Sequence, residues 1–143
     1  MTKVYRSTIE DIVVIEPKVF HDSRGYFLES FRNSLLEDIG YKVSFVQENQ
    51  VKSYKGALRG LHYQLKFPQG KLVWVSQGTV LDIAVDIRLN SPTFSKWFSV
   101  ILDDIKHTRI YESYTHLRDH ETREDVVLRL LREKKMVGGG GGG

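Results

Sequence analysis

The chain contains no cysteine. That excludes disulfides, thiolate nucleophiles and cysteine-ligated zinc or iron–sulfur centres, and it fits a reducing, cytoplasmic setting. Long hydrophobic runs are absent too, so no segment reads as a membrane-spanning helix and no membrane partner is expected. The opening Met1-Thr-Lys-Val-Tyr-Arg6 has no basic stretch followed by an apolar core, and no secretory leader is expected. Charge of one sign is lacking as well. The net charge is +3, with 13 Lys+Arg against 11 Asp+Glu in residues 1–103 and 8 against 7 in residues 104–143. Neither part is a basic arm, which argues against nucleic acid as a partner.

What is present is ordinary globular composition: 41% hydrophobic and 27% charged residues in 143, enough for one domain with a sizeable core. Residues 1–137 are expected to form that domain. Gly138–Gly143 has no side chains to pack and reads as a flexible tail.

Short β-prone runs separated by turn residues fill most of the chain. Ile12-Val-Val-Ile15 is a compact apolar run, and His21-Asp-Ser-Arg-Gly25 marks a turn. Alternation in Tyr26-Phe-Leu-Glu-Ser-Phe31 predicts Phe27, Glu29 and Phe31 on one face. One short helix is predicted over 34–39, with Asn33 as N-cap and Gly40 as its stop. Val43–Asn49 alternates again, with Val43, Phe45, Gln47 and Asn49 on one face. Lys71–Ser76 and Val80–Ile87 read as a hairpin around Gln77-Gly-Thr79. In the second of these, Leu81, Ile83, Val85 and Ile87 make an apolar face, with Asp82 and Asp86 opposite. Trp97–Leu102 is a further strand, Val126–Leu131 a strand or a short helix, and Trp74 and Trp97 are expected in the core. Strands at this spacing predict an all-β sandwich or barrel.

The run Gly56-Ala-Leu-Arg-Gly-Leu-His-Tyr-Gln64, followed by Gln69-Gly-Lys71, gathers an arginine, a histidine and a lysine. Those groups can contact an anion, abstract a proton and hold developing negative charge. Strict alternation puts Arg59 and His62 on opposite faces, and a bulge at Gly60 would bring them to one side. Asp82 and Asp86 are either partners that raise the basicity of His62, edge-exposed carboxylates, or structural hydrogen-bonding groups. His62 is followed two residues on by Gln64 and not by a second histidine, so a paired-histidine ligand set is broken and no metal is expected.

Taken together, Asp22-Ser-Arg-Gly-Tyr-Phe-Leu-Glu29, Val46-Gln-Glu-Asn49, Lys55–Gln64, Gln69-Gly-Lys71, Leu81-Asp-Ile-Ala-Val-Asp-Ile-Arg88 and Ser91-Pro-Thr-Phe94 resemble, in order and spacing, the dTDP-4-dehydrorhamnose 3,5-epimerase family over about residues 4–103. The resemblance implies an all-β, cupin-like jelly-roll barrel with one short helix, a homodimer, no cofactor, and the substrate dTDP-4-dehydro-6-deoxy-D-glucose. The C4 ketone of that sugar acidifies its C3 and C5 hydrogens, so proton abstraction gives an enolate and reprotonation from the other face inverts the carbon. Carried across, His62 corresponds to the base, Lys71 to the cation near the ketone and Arg59 to the diphosphate contact. Arg24 and Glu29 match nucleotide contacts made across the dimer. Phe27 packs on a ring there, and Gln47, Glu48 and Asn49 match a further nucleotide-binding segment.

The likeness thins after residue 103. Ile110-Tyr-Glu-Ser-Tyr-Thr-His116 matches weakly the family's proline-glycine loop ending in a substrate-binding histidine, which gives His116. The register of the family's acid tyrosine falls on Val127 or Leu128, and the aspartate that orients the base is not found. A catalytically impaired dTDP-sugar-binding module, or a one-carbon epimerase or isomerase of the same family, is therefore an alternative. Missing strands would expose sheet edges, and poor stability or aggregation is expected.

Overall fold

Ile12-Val-Val-Ile15 has no polar residue on either face, and it forms the innermost strand. The computed structural model describes residues 1–63, 69–113 and, as backbone, 127–133. Strand β2 (Ile12–Glu16) buries Ile12, Val13, Val14 and Ile15 at 0–1% exposure. Its alternation divides two cores. Val13 and Ile15 pack with Leu35, Leu36, Tyr41 and Tyr111, while Ile12 packs with Ile9, Ala84, Leu102 and Ile110. Each such side chain contributes about 1.5–3 kcal/mol by leaving water, so β2 fastens both layers at once.

The first sheet has the order β1-β2-β9-β6, where β1 is Lys3–Arg6, β6 is Lys71–Val73 and β9 is Arg109–Glu112. The second has the order β5-β10-β7-β8, with β5 at Leu58–His62, β7 at Thr79–Asp86, β8 at Trp97–Asp103 and β10 at Val127–Glu133. All pairings are antiparallel. Strands β3 (Val19–Asp22) and β4 (Gly25–Leu28) form a separate hairpin, and the helix α1 spans Ser34–Glu37. This is a cupin-type jelly roll, mostly strand with one short helix among the described residues.

Several sequence expectations change. The helix stops two residues early, and Asn33 caps it by position only, with helical backbone angles and no side-chain hydrogen bond. Gly40, at φ 95°, takes the left-handed turn that follows. Residues 43–49 form no strand. Val43 instead packs on the core cluster, while Phe45 is partly exposed and stands edge-on to Phe31 at 5.4 Å and to Tyr111 at 6.2 Å. Strands β6 and β7 are not a hairpin, because they pair in different sheets. The segment between them crosses the barrel, and Gly78, at φ 91°, donates its N–H to Asp104 Oδ2 at 2.8 Å. The β4 ladder ends at Leu28, so Phe27 and Phe31 part: Phe27 is exposed, and Phe31 packs on the core. Trp97 is 64% exposed rather than buried. Residues 127–133 resolve as strand, since β10 completes the second sheet between β5 and β7.

The two faces of β7 invert what composition alone would suggest. Asp82, Ala84 and Asp86 point into the barrel at 0–1% exposure, while Leu81, Ile83 and Val85 lie half-buried on the outer side. A buried carboxylate must be hydrogen-bonded. Asp86 accepts from the Arg88 N–H at 3.0 Å, Arg88 Nε at 2.9 Å, Arg88 Nη2 at 2.7 Å, and the Ser91 and Thr93 hydroxyls at 2.6 Å each. Arg88 also reaches Asp11. Burial by itself would raise the Asp86 pKa. The Arg88, Ser91 and Thr93 bonds outweigh it and hold the carboxyl well below the usual carboxylate range, while the Asp86 bond raises that of Arg88. This is the structural alternative for Asp86; it does not serve His62.

Candidate active site

Leu58-Arg-Gly-Leu-His62 is half glycine-and-arginine punctuation, half β-former, and it makes an irregular edge strand. His62 pairs with Arg129 and Arg59 with Leu131. Two residues of β5, Gly60 and Leu61, therefore stand opposite the single position 130 of β10, so β5 carries one extra residue, a bulge. Positions two apart on a strand share a face, which places Arg59 and His62 on one side of the sheet. The same ladder fixes which side. The His62 row continues through position 129 to Ala84, and the Arg59 row through position 131 to Asp82. Both rows end on the buried inner residues of β7, so Arg59 and His62 belong to the barrel's interior face. Asp82 lies two strands from Arg59, about 10 Å at ordinary strand spacing.

Lys71 stands on the same inner face. Lys71 and Val73 share a face, and Val73 packs in the inner core with Ala84 and Leu102. In the first sheet, Lys71 pairs with Glu112, which pairs with Ile12. Asp11, next to Ile12, is tied by Arg88 to Asp86, at the β7 end nearest the His62 row. His62 closes β5, the edge of the second sheet, and Lys71 opens β6, an edge of the first. A histidine, an arginine and a lysine thus all stand on the barrel's inner face, each exposed to solvent. Arg59 Nε donates to Ser53 Oγ at 3.1 Å. The arrangement can bind an anion, take a proton and stabilise an oxyanion.

Glu112 was not flagged by sequence. It is 7% exposed and lies opposite Lys71 in the ladder. Only strand pairing puts it there, and Tyr-Glu-Ser carries no local signal of it.

The remaining candidates sit elsewhere in the single chain. Arg24 is at the exposed tip of the β3–β4 hairpin, with Nη2 donating to Asp22 Oδ2 at 2.7 Å; these bonds lower the Asp22 pKa. Phe27 and Glu29 line a cleft of about 640 Å³ with Lys18, Phe20, Arg32 and Leu35, and none of Arg59, His62 or Lys71 borders it. Glu29 is paired with Arg32 Nε at 3.0 Å. Gln47, Glu48 and Asn49 are exposed in the irregular segment after α1, with Gln47 Nε2 donating to Asn49 Oδ1 at 3.1 Å. His116 lies outside the described residues. Among the described residues no group of three or more His, Asp or Glu could hold a metal ion, and no helix is long and apolar enough to cross a membrane.

Fold and site together define a class: a cupin-type barrel whose open edge presents a histidine, an arginine and a lysine. A family profile described as dTDP-4-dehydrorhamnose 3,5-epimerase matches residues 6–120. The dTDP-4-dehydrorhamnose 3,5-epimerase of Shigella flexneri is 50% identical over 117 residues, 79% of this chain and 65% of that protein. Among solved structures, dTDP-6-deoxy-D-glucose-3,5-epimerase from Legionella pneumophila, in complex with dTDP-4-keto-L-rhamnose, superposes with a TM-score of 0.79 at 38% identity, covering 93% of this chain and 65% of that one. A 3'-monoepimerase from Streptomyces bikiniensis, in complex with dTDP-quinovose, gives a TM-score of 0.76 at 31% identity, covering 90% and 61%. The chain belongs to the dTDP-4-dehydrorhamnose 3,5-epimerase family. It spans just under two thirds of the length of these relatives.

Proposed function

We propose that this chain binds dTDP-4-dehydro-6-deoxy-D-glucose and epimerises its sugar at C3 and C5 through an enolate. The observation that carries the reading is the β5 bulge, which turns Arg59 and His62 to one face, the inner face of the barrel. In this reading His62 abstracts the proton, Lys71 holds the charge growing on the C4 oxygen, and Arg59 contacts the diphosphate. No cofactor is required, because the ketone itself acidifies the hydrogens.

The chain is proposed to work as a homodimer in the cytoplasm, with neither nucleic acid nor membrane as partner. Two placements support the dimer: Arg24 is at the exposed tip of the β3–β4 hairpin, and Phe27 and Glu29 line a cleft that His62 does not border, so a partner's barrel is where they would meet substrate. Gln47, Glu48, Asn49 and His116 are assigned to nucleotide and substrate contact on the resemblance alone. A second reading is inversion of one carbon. It is favoured by the side chains at 127 and 128: β10 runs beside His62, yet Val127 and Leu128 have no proton to donate, and the monoepimerase relative has a similar fold.

Proton NMR of dTDP-4-dehydro-6-deoxyglucose in heavy water tests both. Deuterium at C3 and C5 with inversion is the expected result. Deuterium with inversion at one carbon only establishes the second reading. No exchange, with dTDP still bound, overturns catalysis and leaves a binding module.

A further inference from the structure

The β3–β4 hairpin pairs with no other strand among the described residues, and an isolated two-stranded hairpin is marginal in water. Its orientation must come from side-chain contacts, and two come from the start of the same element. His107 lies in the turn before β9, 7% exposed and at φ 55°, and its ring meets that of Tyr26 at 4.7 Å. A left-handed backbone angle at a non-glycine residue persists only when its surroundings hold it, so the imidazole is a fixed platform.

Arg109, two residues on, is 4% exposed, with its guanidinium 5.0 Å over the Trp74 ring. Its Nη2 donates to Ser30 Oγ at 3.1 Å, while Nε and Nη1 have no hydrogen-bond partner among the described residues. A desolvated cation so poorly supplied depends heavily on the one hydroxyl that it has. Tyr26 and Ser30 bracket Phe27 to Glu29, the segment that carries two of the candidate nucleotide contacts.

The geometry points to His107 and Arg109 as positioning residues that clamp the hairpin at Tyr26 and Ser30, and so set the aim of Phe27 and Glu29 toward the nucleotide. This rests on the proposed function for its ligand, though not for the clamp. Neither group touches the reacting atoms. The clamp therefore affects nucleotide affinity and leaves the chemical step alone.

Ser30→Ala and Tyr26→Leu remove one contact each, at exposed positions. Hydrogen–deuterium exchange across residues 19–30 should be faster in both variants, with exchange in β2 and β7 unchanged. Titration with dTDP should show affinity weakened by about two- to tenfold per variant, the factor that one hydrogen bond's net contribution corresponds to. Deuterium wash-in at saturating dTDP-sugar should stay at the wild-type rate. Wild-type exchange protection in both variants overturns the clamp. Faster hairpin exchange with unchanged dTDP affinity overturns the positioning role. Should the wild-type protein itself fail to bind dTDP, the proposed function falls, while the exchange protection still decides the clamp.

Discussion

Replacing Asp86 with asparagine should cost about 3 kcal/mol of folding stability, and the network around it shows why. Oδ1 accepts from the Arg88 N–H and Nε; Oδ2 accepts from Arg88 Nη2 and from the Ser91 and Thr93 hydroxyls. An asparagine has one oxygen and one NH2, so either orientation turns an N–H2 toward an arginine donor. The hydroxyls can reverse their role, but the guanidinium cannot. Removing one partner of a buried ion pair typically costs about 3–5 kcal/mol. Asp11 still contacts Arg88, which puts the expected loss at the low end, about 3 kcal/mol. At this chain length that corresponds to a fall in Tm of about 10 °C.

Urea unfolding of wild type and Asp86→Asn at neutral pH, followed by the same pair at falling pH, measures the effect. The folded-state pKa of Asp86 is lowered, so the unfolded chain takes up this proton first as pH falls. The carboxylate's stabilisation is fully present above its unfolded value of about 4 and is lost as pH drops below that. The gap between the two proteins should therefore close toward pH 2. A loss under about 1 kcal/mol at neutral pH, or a gap that persists undiminished in acid, would refute the reasoning.

Arg59→Ala should weaken dTDP binding by about tenfold or more if it makes a charge-assisted diphosphate contact; calorimetry showing unchanged affinity removes it from the site. His62→Ala should abolish deuterium exchange at the sugar while leaving dTDP affinity nearly unchanged, and loss of binding instead would reassign it as a binding group. Lys71→Met should lower the exchange rate at saturating substrate more than it raises KM, which parallel kinetics in heavy water would check. Ile12→Ala, at a fully buried position in the inner core, should cost about 2–5 kcal/mol in chemical denaturation, the upper half if the cavity cannot collapse.

Local pattern and turn chemistry carried a good part of this in the sequence itself. The apolar run at residues 12–15, the turn at Asp22–Gly25, the strand at 97–102 and the crowding of Arg59, His62 and Lys71 are short-range features, written in residue type and spacing. Even the bulge at Gly60 was inferable from the need to put an arginine and a histidine three apart on one face. What the order of residues could not reveal were relations between distant segments. Whether alternation becomes a ladder depends on a partner strand, and residues 43–49 find none among the described residues, with Val43 alone packing on the core. Whether β6 and β7 pair depends on which sheet each joins, and β9 claims β6. Which face of β7 is interior was settled by Arg88, Ser91 and Thr93, which together make a buried Asp86 tolerable. Glu112 beside Lys71, and His107 and Arg109 beneath the hairpin, exist as neighbours only after β9 has docked. Spacing along the chain sets what each strand presents; long-range pairing and burial alone decide what meets across the barrel.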